Sequence, residues 1–281
     1  MTGTETYHSG LQQPYRIQKR LVLNQCFKSI LAKGTVGQTL NYVTLGGEDL
    51  YDVMDLVAVF DIRQLGLRVL SYEENDSVAL KSRRCPVAAT LSRIETVSVE
   101  IVSSPFGDNH RPIRALRSQG SFVYFLDDTR TFREPQAEVL LELLRSELLR
   151  ETDYLLVTSC LTPRVVNQTR FMHRYEGTYR TFFGASSTVD KEFKVRNHVD
   201  LLVAQTFSRF QGLRPDTPRF LRATLLRKFK YNDTRAAMGL WLFELQSTAN
   251  RTFALRDVDF EEFPHAFVQV PEEDIPNIFD E

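Results

Sequence analysis

Short apolar runs alternate with stretches of helical period along most of this chain. Residues 14–33 place Leu23, Phe27, Ile30 and Leu31 on one face and Arg16, Lys19, Arg20 and Lys28 outside it, which predicts a helix stopped by Gly34. Residues 40–45 (LNYVTL) predict a buried strand that ends in Gly46-Gly47. Leu50, Val53, Met54 and Val57 follow at helical spacing, and residues 67–72 predict a second strand ending in Glu73-Glu74. A short helix is expected over 77–84, ended by Cys85-Pro86. Residues 97–102 (VSVEIV) predict a third strand, and SSPFGDNHRP after it reads as a loop. Residues 121–126 (SFVYFL) predict the fourth strand. The clearest helix carries Ala137, Leu140, Leu141, Leu144 and Leu148 as its apolar stripe, with Pro135 near its start. Residues 154–157 predict a fifth strand.

Strands and helices alternating at these lengths call for a parallel sheet with helices on both faces. After Cys160 the period is lost, and 161–190 reads as an insertion over the sheet edge that carries strand ends. A helix is expected over 191–212 on Val195, Val199, Leu202 and Phe207. Residues 220–231 and 238–245 are β-rich runs around Asn232-Asp233-Thr234, which predicts a hairpin. The domain plan is a flexible N-terminus over 1–13, one α/β domain over 14–256, and a tail over 257–281.

Strand, glycine turn, helix, strand and acidic end, over 40–76, is the order of a nucleotide-binding βαβ unit. Glycine lets the backbone approach a ligand, and a carboxylate at the end of the second strand can accept hydrogen bonds from ribose hydroxyls. No G-x-G-x-x-G is present, and Gly46-Gly47 reads equally as a plain tight turn.

Composition narrows the class. A chain of 281 residues with 42% hydrophobic content buries a full core. No apolar run is long enough for a membrane span, so a cytoplasmic protein with no membrane partner is expected. Cys26, Cys85 and Cys160 are odd in number and widely separated, which argues for reduced thiols and against a metal site. The net charge of −1 conceals an asymmetry. Residues 257–281 hold nine acids and no Lys or Arg, leaving 27 of the 36 acidic residues against all 35 basic ones in the rest of the chain. Those nine acids are interleaved with Phe260, Phe263, Phe267, Ile275, Ile278 and Phe279. Such a tail either docks on a basic, partly apolar surface of its own body or of a partner protein, or begins as ordinary structure packed on the sheet.

Five alternating strands, a further helix and a hairpin resemble the class I S-adenosylmethionine-dependent methyltransferase fold over about residues 14–246. The resemblance implies a doubly wound, mostly parallel Rossmann-like sheet with one antiparallel strand from a C-terminal β-hairpin. It implies S-adenosylmethionine as cofactor, held by Gly46, Gly47 and Glu48 in a degenerate glycine loop. Glu73, or else Glu74, stands where the family's ribose-binding carboxylate would be. Phe106, Gly107 and Asp108 occupy the loop that borders the adenine. Asp127 and Asp128 end the fourth strand, where many members place catalytic residues. Asp127-Asp128 is not the Asn/Asp-Pro-Pro-aromatic signature of enzymes acting on exocyclic amino groups of DNA bases, so the methyl acceptor stays open.

These acids also have plainer readings. Glu73 and Glu74 suit solvated loop acids, and Asp127-Asp128-Thr129 could supply oxygen ligands to a metal. His110, His173 and His198 lack ligand spacing and read as surface or packing residues. The Arg/aromatic stretch 164–183 suits contact with nucleic acid or a protein, or a polar connector. Two functions follow: a methyltransferase, or a non-catalytic binding or regulatory protein on the same scaffold.

Overall fold

The computed structural model describes residues 14–34, 39–45, 50–60, 65–127, 132, 134–161, 175–185, 189–213, 219–233, 236–250 and 253–262. The first half runs α1 (Pro14–Ala32), β1 (Thr39–Leu45), α2 (Tyr51–Val59), β2 (Gly66–Tyr72), α3 (Asp76–Arg84), α4 (Pro86–Leu91), β3 (Val97–Val102), α5 (Arg111–Leu116) and β4 (Ser121–Leu126). The second runs α6 (Glu134–Arg145), β5 (Tyr154–Cys160), α7 (Glu176–Phe183), α8 (Lys191–Gly212), β6 (Phe220–Asp233), β7 (Ala236–Thr248) and β8 (Glu261–Glu262).

Among the described residues, the eight strands form one sheet in the order β3-β2-β1-β4-β5-β7-β6-β8. β1 lies parallel to both β2 and β4, β3 extends β2, and β5 extends β4. β7 runs antiparallel between β5 and β6 as one arm of the hairpin. The expected doubly wound, mostly parallel Rossmann-like sheet with a C-terminal hairpin is present, and its order reverses between β1 and β4.

Each face has its own core. Val22, Leu23, Phe27 and Ile30 of α1 pack with Val53, Leu56, Tyr42 and Phe125 on one side. Leu140 and Leu144 of α6, Tyr179 of α7 and Val199 and Phe207 of α8 pack with Tyr124 and Trp241 on the other. Burial on both faces explains why the central strands read as continuous apolar runs. Gly120, just before β4, has φ +140°, and a Cβ there would lie 2.1 Å from the Thr39 carbonyl oxygen, so only glycine lets β4 enter beside β1.

Four details differ from the sequence reading. Arg111 and Pro112, read as the end of the loop, instead open the helix Arg111–Leu116, on which Ile113 is fully buried. Cys85 adopts an extended backbone before Pro86 and its Sγ accepts from the Ala88 amide, so a second short helix begins where one helix was expected to stop. α6 ends at Arg145; Leu148 reaches the core through a turn in which Glu147 has φ 57°. Within 161–190, where no helix was expected, Glu176–Phe183 form α7, while 162–174 and 186–188 lie outside the described residues.

Candidate functional site at the strand ends

Register brings the candidate carboxylates to one edge of the sheet. Leu45 is level with Tyr72, Tyr72 with Val102, and Thr44 with Phe125. Glu73 therefore leaves β2 and Asp127 leaves β4 at the same carboxyl edge, on either side of β1. α2 starts at this edge, placing the positive end of its dipole there. Leu50 opens α2 in a left-handed conformation with φ 52° and no side-chain cap.

Glu73 is half-buried. Its amide donates to the Val102 carbonyl at 3.0 Å, continuing the β2–β3 ladder. Its Oε1 accepts from the Asn75 amide at 2.9 Å, and Asn75 in turn caps α3 by accepting from the Ser77 and Val78 amides. The carboxylate is thus held at the turn by its own neighbours. Glu74 is exposed.

Asp127 takes Lys19 Nζ on Oδ2 at 2.5 Å and the Thr158 hydroxyl on Oδ1 at 3.0 Å. Lys19 belongs to α1, which crosses this face. Beside it, Arg20 Nε donates to Asp55 Oδ1 at 2.8 Å. Asp52 accepts from the Tyr42 and Thr44 hydroxyls at 2.8 and 2.7 Å. Burial pushes the Asp55 carboxyl up to about 6 against the pull of Arg20, and burial likewise raises Asp52 against its hydroxyl donors. The result is an acidic cluster at the β1/β4 switch point, with Asp55 buried and Asp52 and Asp127 half-buried, faced by Lys19 and Arg20 of α1.

In the loop after β3, Phe106 is buried and packs edge-on against Tyr72, with ring centroids 5.1 Å apart. Tyr72 OH donates to the Asn109 carbonyl at 2.8 Å, pinning the loop down. Gly107 lies against α6, where a Cβ would touch Val139 at 3.5 Å. Asp108 is exposed. Among the described residues, Ser104 Oγ and His110 Nε2 in this loop are buried without a hydrogen-bond partner. They are polar atoms of the kind a bound base satisfies.

Gly46, Gly47, Glu48 and Asp128 lie outside the described residues, as do His173 and residues 162–174 of the Arg/aromatic stretch. In the described remainder of that stretch, Tyr175 and Tyr179 are buried, and Arg180 faces Glu176 at the surface. No group of three or more His, Cys, Asp or Glu suited to a metal occurs among the described residues. Cys26, Cys85 and Cys160 are all buried thiols.

Sequence reasoning passed over Lys19, Asp52, Asp55 and Thr158. A signal for the first three existed: Asp52 and Asp55 interrupt the apolar period of a helix, and Lys19-Arg20 sit on another helix with matching charge. It also passed over a sealed network on the other face. The Ser159 hydroxyl meets His198 Nε2 at 2.8 Å and accepts from the Phe132 amide, while His198 Nδ1 meets the Val195 carbonyl. Burial lowers His198 to about 4. Asp200 accepts from Trp241 Nε1 at 3.0 Å and from Lys228 Nζ at 3.4 Å.

No protein-family model and no curated protein matches this sequence. Solved structures with similar backbones include the methyltransferase domain of bacterial CtHen1-C, at TM-score 0.43 and 10% identity over 81% of this chain and 98% of that one. Another is a candidate class I S-adenosylmethionine-dependent methyltransferase from Listeria monocytogenes, at 0.41 and 8% over 90% of this chain and 65% of that one. An rRNA methylase from Streptococcus thermophilus matches at 0.38 and 9% over 84% and 98%. This chain spans just under two thirds of the Listeria protein's length. The fold stands on the strand order, the β1/β4 reversal and the antiparallel β7, which make the doubly wound, mostly parallel sheet with a C-terminal hairpin that the resemblance implies.

Proposed function

We propose that this chain is a class I S-adenosylmethionine-dependent methyltransferase. The observation that carries the reading is the placement of Glu73 and Asp127 at one edge of the sheet, flanking the point where the strand order reverses. The residues present fit such a cofactor: a half-buried carboxylate ends β2, and the loop after β3 holds two buried polar atoms without partners among the described residues. When bound, S-adenosylmethionine supplies an electrophilic methyl group on a sulfonium centre.

The chain's own work is then positioning. Gly46, Gly47 and Glu48, which follow β1 in sequence and lie outside the described residues, are assigned to the cofactor. Glu73, or Glu74 in its place, accepts hydrogen bonds from the ribose hydroxyls. Phe106, Gly107 and Asp108 border the base. Asp127 or Asp128 orients the acceptor or takes its proton. Lys19 competes for Asp127, so Asp127 serves as a base only after parting from Lys19.

A second reading, a binding or regulatory protein on the same scaffold, is favoured by that ion pair and by the closure of Phe106 onto Tyr72. Calorimetric titration with S-adenosylmethionine tests both. Heat of binding to folded protein supports the cofactor site that both readings share, and no heat sinks the enzyme reading. Formation of S-adenosylhomocysteine over a panel of acceptors then selects the enzyme.

A further inference from the structure

After β7 the chain returns as an extended segment that binds its own body as a ligand would. Arg196 on α8 donates through Nε to Asp257 Oδ1 at 2.9 Å and through Nη2 to its other oxygen. Asn197 Nδ2 adds a bond to the same carboxylate at 2.7 Å, and Arg196 Nη1 lies 3.2 Å from Asp259. Phe260 stands edge-on to Trp241, with centroids 5.3 Å apart, and covers the Lys228 ammonium at 5.3 Å. Gly239 leaves room chiefly for the Trp241 ring, which a Cβ there would meet at 2.5 Å, and the Phe260 ring closes over the same spot at 3.2 Å. Glu261 takes both arms of Arg227, and Glu261–Glu262 pairs in parallel with Phe229 and Lys230 on the outer edge of β6.

We propose that this seat, floored by Trp241 and Gly239 and flanked by Arg196 and Arg227, is a docking site for an extended acidic peptide bearing one aromatic residue. Residues 257–262 occupy it in cis. The chemistry is read from the occupant: two carboxylates, an aromatic plug, then a carboxylate on a strand that adds to the sheet. A peptide is favoured over a nucleic acid because the ladder with Phe229 and Lys230 uses backbone amides and the plug packs edge-on against Trp241. Three features make the occupant exchangeable. Its ion pairs lie near the surface, where each contributes little. Its ladder on β6 is two residues long. β6 spans 14 residues, and strand pairing on its outer side is limited to Phe229 and Lys230 among the described residues, so an incoming strand can pair over more of it.

The test uses the full chain and a fluorescent peptide with the sequence of residues 256–262, RDVDFEE. The cis segment competes at an effective concentration on the order of millimolar, so the parent should bind the peptide weakly. The variant Asp257→Asn/Phe260→Ala/Glu261→Gln should bind it at least about tenfold more tightly, because the competent fraction rises. Changing the peptide's Phe to Ala, or adding Arg227→Ala to the variant, should remove the gain. In the parent, excess peptide should speed amide hydrogen exchange over 257–262, a readout that remains if the triple variant does not fold. The proposal is overturned if the folded variant binds no better than the parent, or if excess peptide leaves that exchange unchanged. It is also overturned if an oligothymidylate gains equally while the Phe-to-Ala peptide binds as well as the original, which would mark a bare anion patch.

Discussion

Two lysine–aspartate pairs sit on opposite faces of one sheet and behave as different objects. Lys19 and Asp127 meet at 2.5 Å with about a fifth of each side chain exposed, 22% and 21%. Lys228 and Asp200 meet at 3.4 Å with 0% and 3% exposed. The first lies where strands end and water reaches, so its carboxylate can exchange partners at small cost. The second is closed in by Asn197 Oδ1 at 2.9 Å from the ammonium and by the Trp241 indole on the carboxylate. Burial lowers the Lys228 ammonium and raises the Asp200 carboxyl, each offset by the other's charge. The same chemical pair is therefore suited to a working site at the sheet edge and to structure beneath it, and solvent decides which.

Breaking the sealed pair should have the largest effect. Lys228→Ala strands a buried carboxylate and is expected to cost about 3–5 kcal/mol of stability, read from urea unfolding. A loss below about 1 kcal/mol would show that water reaches Asp200 and would erase the contrast.

Next comes His198, beside that pair. Its folded pKa, about 4, lies below the ordinary 6.5, so its contribution to stability is full above pH 6.5 and is lost as pH falls toward 4. The stability advantage of the parent over His198→Asn should shrink by up to roughly 3 kcal/mol across that window. The difference between the two proteins is the quantity to follow, because Asp55, pushed up to about 6, acts in the opposite direction over the same range. A constant difference from pH 7 to pH 4 would mean that His198 titrates normally.

At the open edge, the expected losses are of binding rather than of folding. Glu73→Ala should weaken S-adenosylhomocysteine by about 1.5–3 kcal/mol, roughly ten- to a hundredfold, with the unfolding midpoint unchanged. Equal affinities would move the role to Glu74 or remove it.

The smallest effect belongs to Lys19→Met, which should change stability by less than about 1 kcal/mol. A loss as large as that of Lys228→Ala would make both pairs structural and leave Asp127 without a case for chemistry.

Most of the sheet was legible because apolar period is local. VSVEIV and SFVYFL mark β3 and β4, residues 191–212 mark α8, and Asn232-Asp233 marks the end of the hairpin's first arm. Where burial depended on distant partners, the reading failed. Arg111-Pro112 reads as the end of a loop until Ile113 beside it finds a core, and Leu31, placed on the apolar face of α1, is 46% exposed.

The same division runs through the candidate site. Sequence alone placed Glu73 and Asp127 at strand ends, since a run of apolar residues stopping at an acid is visible within a few positions. Tertiary structure alone decided what those acids meet. Lys19 and Asp127 are 108 residues apart, and Lys228 and Asp200 are 28 apart on different elements. No local pattern encodes such partners, because a charge has no period and its neighbour is chosen by how helices cross the sheet. The first residues of the acidic-aromatic tail, 257–262, are the clearest case. Composition announced acids and aromatics in search of a basic surface, and only folding showed that the nearest one was the chain's own.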